Sequence, residues 1–95
     1  MPDWRKLKPG DRIRLLTVPL SDLKQRAHEL SVGAEMAGST ADTLERIIAS
    51  DPIIIIVHVD EYGAPWFRRK LVADDGTVEY HSLTVTDEDS WEFAN

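Results

Sequence analysis

The sequence predicts an α+β fold: a small, strongly bent antiparallel sheet of about five strands, with a helical hairpin inserted between the first and second. Three observations predict it. The run Ile53-Ile54-Ile55-Ile56-Val57-His58-Val59 is β-branched, short and bounded by turn residues, and two more strand-like segments follow it closely. Glu61-Tyr62-Gly63 and Asp74-Asp75-Gly76 separate these segments. Each places glycine third, as a three-residue hairpin loop closing in the left-handed region requires. Upstream, apolar residues recur at helical spacing over roughly thirty residues. An open four-stranded sheet with both helices on one face is the second architecture these elements allow.

The first strand is expected over 12–18, launched by the turn Lys8-Pro9-Gly10-Asp11 and stopped by Pro19, which cannot supply a ladder N–H. The helical hairpin spans 21–50. Ser21 stands at an N-cap position, and Leu23, Ala27, Leu30 and Ala34 form one narrow apolar stripe. Gly38 ends that helix and Ser39 or Thr40 caps the next, which carries Leu44, Ile47 and Ile48 on one face and closes at Asp51-Pro52. Both stripes are expected to dock on the sheet. Val32 and Met36 fall off the first stripe, and Met36 is read as filling a packing gap. A three-strand meander over 53–85 follows, then the acidic Asp87-Glu88-Asp89 link and a short closing strand at 91–93. Trp4, Trp91 and Phe93 lie near the two ends, where an aromatic clasp would close the sheet.

Length and composition bound the rest. Ninety-five residues are read as one domain with a small core, and 42% hydrophobic with 29% charged residues argues against disorder. No cysteine is present, so neither a disulfide nor a thiolate metal site can staple the fold, which suits a reducing cytoplasm. The longest apolar run is too short to span a bilayer, and Met1-Pro2-Asp3-Trp4-Arg5-Lys6 lacks the apolar stretch of a secretory leader. A soluble cytoplasmic protein is expected, with no membrane partner. The net charge of −6 is unevenly spread: residues 1–26 hold seven Lys/Arg against three Asp, the remainder four Lys/Arg against fourteen Asp/Glu. That balance disfavours nucleic acid, whose affinity rests largely on phosphate neutralisation.

The stretch Lys8-Pro9-Gly10-Asp11-Arg12-Ile13-Arg14-Leu15 resembles the first strand of small SH3-like barrels, in which a Gly-Asp turn launches a basic-apolar strand. The resemblance covers eight residues and the strand order, and the chain departs from it by placing two helices where those barrels have a long loop. It implies a barrel-like sheet. It implies no activity, because such barrels serve peptide binding, nucleic-acid binding and scaffolding alike.

Counting back from the two loops sets a register. Val57 faces Phe67, Phe67 faces Leu83 and Ile53 faces Leu71 on the side the hairpin covers. The other side brings His58 near Trp66, Arg68 near Ser82 and Lys70 near Tyr80, although Ile54 and Ile56 also project there. His58, Trp66, Arg68, Lys70, Tyr80 and Ser82 are thus the candidate partner-binding residues: two aromatics, two fixed cations, an imidazole and a hydroxyl.

Catalytic and metal chemistry find little support. His28, His58 and His81 show no ligand spacing, so no metal is expected, and nothing resembles a Gly-rich phosphate loop. His81 and Ser82 are adjacent strand residues whose side chains point apart, so they cannot form a nucleophile–base pair. Asp60, Glu61, Asp74 and Asp75 sit where turn-forming acids belong. A non-enzymatic protein-interaction module without cofactors is the expected function, its partner another protein or, through a strand edge, a second copy. A nucleic-acid-associated protein using Arg12, Arg14, Arg68 and Lys70 is the alternative. A small-molecule binder or enzyme with a cleft between hairpin and sheet is the third.

Overall fold

The computed structural model describes residues 3–86 and 88–94. It is α+β, with two helices and two small antiparallel sheets of three strands each. The elements run from a short 3-10 turn (Trp4–Lys6) through β1 (Arg12–Leu15), α1 (Leu20–Ser31), α2 (Ser39–Ser50), β2 (Ile53–Ile55), β3 (His58–Val59), β4 (Pro65–Val72) and β5 (Val78–Thr84) to β6 (Trp91–Phe93). One sheet has the order β2-β1-β6, the other β3-β4-β5, and among the described residues no closed barrel forms.

The sheet of about five strands therefore becomes six strands in two sheets, because the isoleucine run splits. Ile53–Ile55 pairs with β1, and His58–Val59 pairs with β4. The two residues between mark a corner. Ile56 bonds back toward β1, its N–H to Asp11 O (2.9 Å) and its carbonyl accepting from Gly10 N (2.8 Å), whereas Val57 N–H donates to Trp66 O (2.8 Å). The expected face assignment fails here. Ile54 and Ile56 are buried and Val57 is 42% exposed. Ile53 lies opposite Arg14, and Leu71 opposite Glu79.

Both hairpin loops follow the sequence. Asp60 N–H reaches Ala64 O and Gly63 N–H reaches Asp60 O, while Ala73 N–H reaches Thr77 O and Gly76 N–H reaches Ala73 O. Gly63 (φ 81°) and Gly76 (φ 86°) take the left-handed conformation that ends each loop. Phe67 pairs with Leu83 as expected.

The core gathers Ile13 and Leu15 from β1, Leu44 and Ile47 from α2, Ile54 and Ile56, Phe67 and Leu71 from β4, and Trp91. Each large side chain so buried contributes roughly 1.5–3 kcal/mol. Trp91 also donates from its indole to Thr86 O (3.1 Å) and meets Phe93 edge-on, ring centroids 5.3 Å apart. Trp4 packs against the same core and donates to Val85 O. The aromatics near the chain ends thus tie β6 and the N-terminal turn to the core.

The helices differ from expectation in their docking. Helix α2 buries Ala41, Thr43, Leu44 and Ile47, but α1 buries no residue at all. Its stripe lies open, with Leu23 36% and Leu30 65% exposed, and Met36 fills no gap at 81% exposure. Polar contacts hold α1 instead: Arg26 pairs with Asp42 and Glu45 of α2, and Glu29 accepts from Gly38 N–H. Ser21 is not the cap. Pro19 occupies that position, and the Ser21 hydroxyl donates to Glu88. Gly38, in left-handed geometry, caps α2 in place of Ser39 or Thr40. The first strand ends at Leu15 rather than Val18. Of the acidic link, Asp87 lies outside the described residues, as do Met1 and Pro2.

Candidate functional site

The β4–β5 ladder fixes the geometry of the candidate surface. Its register pairs Arg68 with Ser82 and Lys70 with Tyr80, and β3 pairs His58 with Trp66. Strand alternation then places all six residues on one side of the sheet. Five of them are exposed and Trp66 is half-buried, with Tyr80 at 80% the most open of the aromatics on that side.

One end of the surface is rigid. The His58 ring stacks on Trp66 at a centroid distance of 5.8 Å and an interplanar angle of 5°. Trp66 in turn donates from Nε1 to Asp60 Oδ2 (2.9 Å), while Asp60 Oδ1 accepts from the main-chain N–H groups of Tyr62 and Ala64 (2.9 Å each). The indole first, then the Ala64 amide, hold the Asp60 carboxyl below the usual carboxylate range. A turn-forming acid thereby also orients the aromatic. Asp60 carried only a turn role in the sequence, and its position six residues before a strand tryptophan was the available signal.

The other end is cationic. Arg68 and Lys70 make no ion pair among the described residues. Neither β4 nor β5 places a carboxylate on their side, where the remaining members are Val72, Val78 and Thr84, and Asp60 at the far end is taken up by Trp66 and the loop amides. With Tyr80 and Ser82 they line a shallow depression of about 290 Å³.

The reverse side is committed to structure. Arg69 donates to Asp51 O (2.9 Å) and Ile53 O (2.7 Å), tying β4 to the start of β2. Glu79 accepts hydrogen bonds from the two terminal guanidinium nitrogens of Arg46 (3.2 and 3.0 Å), which joins α2 to β5, and contacts His81 Nε2 (3.1 Å). Arg46, then His81, lower the Glu79 carboxyl. His81 therefore faces Glu79 while Ser82 faces the opposite side. Asp75 is a turn acid, accepting from Thr77 N–H (2.9 Å). Among the described residues no three His, Asp or Glu side chains gather to hold a metal ion.

The chain matches no family model, no curated protein and no solved structure. No described helix is long and apolar enough to cross a membrane.

A second open surface lies at α1, where Leu20, Leu23 and Val18 border a depression of about 460 Å³ rimmed by Glu88 and Asp89. Asp22 beside it is raised above its ordinary value by burial and by Glu88. The sequence stripe marked this helix face, although as core.

Proposed function

We propose that the protein is a non-enzymatic interaction module and that the β4–β5 side carrying His58, Trp66, Arg68, Lys70, Tyr80 and Ser82 is its partner-binding surface. The carrying observation is the pair of cations, Arg68 and Lys70, that stand without a described acidic partner between a fixed indole and an exposed phenol. An open basic pair beside two aromatics, on a protein of net charge −6, suits an acidic protein partner. Aromatic rings beside cations are also the composition of interface anchors.

An SH3-like arrangement of the two sheets belongs to the same proposal. Its support is the connectivity: the isoleucine run serves both sheets through the Ile56–Val57 corner, and β6 returns to pair with β1. The helical pair stands where such barrels carry a loop.

Affinity capture with and without nuclease tests the surface, using the wild type and a folded Trp66→Ala/Arg68→Ala/Lys70→Ala variant. Protein partners that survive nuclease and vanish in the variant are the expected result. Partners lost on nuclease treatment would replace the module with a nucleic-acid binder. Partners retained by the variant would remove this surface from the function.

A further inference from the structure

We infer that the partner segment is an extended, acidic stretch of polypeptide that adds as a fourth strand to the open edge of β5. This rests on the β4–β5 side being the partner-binding surface, and it names what that surface receives.

The edge follows from the ladder. Val85 N–H donates to Pro65 O (2.9 Å) and Ala73 N–H to Thr77 O (2.8 Å), so at both ends the odd-numbered residues of this segment bond toward β4. Hydrogen-bonded residues alternate along an antiparallel strand. Val78, Tyr80, Ser82 and Thr84 therefore turn their main-chain groups away from β4, and β5 is the last strand of its sheet. No hydrogen bond outside the ladder reaches the main chain of these four among the described residues. β5 is seven residues long and holds no proline, lysine or arginine, the usual devices that blunt an edge. Its one acid, Glu79, is occupied by Arg46 on the reverse side.

Charge selects the occupant. An added strand would lie about 10 Å from β4, two strand spacings away. Arg68 stands directly across the β4–β5 ladder from Ser82, whose side chain is short, and both are exposed on the same side of the sheet. An acidic side chain opposite Ser82 meets Arg68 across it, whereas the position opposite Tyr80 meets a phenol ring. A second copy pairing through the same edge would bring another Arg68 and Lys70 to this side, with no acid from its β4 or β5 to meet them.

A ten-residue peptide of alternating threonine and glutamate, titrated into the 15N-labelled full chain, tests this. The expected result is binding with at least about tenfold slower exchange of the Tyr80 and Ser82 amides, weakened about tenfold or more by Arg68→Glu. The same peptide N-methylated along its main chain is expected not to bind. Equal binding of the N-methylated peptide, or binding without amide protection, would overturn strand addition while leaving the surface as the interaction site. Absence of binding at millimolar peptide would overturn it as well. Protection that rises with protein concentration alone would give the edge to a second copy. Tighter binding of a twelve-residue oligothymidylate would give the surface to nucleic acid.

Discussion

Trp66 Nε1 donates a 2.9 Å hydrogen bond to Asp60 Oδ2, so the loop that turns β3 into β4 also fixes the indole against which His58 stacks. Three donors converge on that one carboxylate, and they favour its charged form.

Its folded-state pKa lies below the unfolded value, so Asp60 contributes stability that is present above the ordinary carboxylate range. That contribution is lost as pH falls through the folded value. Asp75 and Glu79 are lowered likewise and act in the same direction. The thermal midpoint, followed by circular dichroism, is expected to hold near neutrality and to fall below about pH 4. Asp60→Asn is expected to lower the midpoint at pH 7 and to reduce its acid slope. An unchanged slope would show that the carboxylate does not sense folding.

Phe67→Ala removes a fully buried ring from the core that also holds Leu71 and Ile56, and a loss of about 3–5 kcal/mol is expected in urea unfolding. Against a typical domain stability of roughly 5–15 kcal/mol, the variant sits near the limit of folding. A loss under about 1 kcal/mol would place the core elsewhere.

Leu30→Lys on α1 is expected to cost less than about 0.5 kcal/mol, because the side chain already lies 65% exposed. Leu44→Ala on α2 is expected to cost about 2–5 kcal/mol. Comparable losses in both would restore a docked α1.

Gly38→Ala joins two penalties. The position has φ 73°, and a Cβ there would meet the Arg26 side chain that carries the pairs to Asp42 and Glu45. Gly33 shares the positive φ but faces open space. Gly33→Ala is expected to cost about 1–2 kcal/mol from backbone strain alone, and Gly38→Ala more, with faster amide exchange in α1. Equal effects on exchange would mean that Arg26 does not couple the helices.

Much of this fold was legible, for identifiable reasons. The hairpin registers could be counted because Gly63 and Gly76 each end a three-residue loop, and the pairing of Arg68 with Ser82 and Lys70 with Tyr80 followed. The corner at Ile56–Val57 was not legible, since an unbroken aliphatic run has no polar residue to mark which side faces inward. Nor did the α1 stripe reveal its exposure: amphipathic spacing identifies an apolar helix face without saying what covers it. Long-range polar ties such as Arg69 to Asp51 and Ile53 carry no local sequence signal.

Photo-crosslinking tests the partner-binding surface most directly, with p-benzoylphenylalanine placed at Tyr80 in one variant and at Leu30 on the exposed stripe of α1 in a second. Crosslinks to protein from position 80, abolished by Arg68→Glu, are predicted. Crosslinks from position 30 with none from position 80 would contradict the assignment and move the partner to α1.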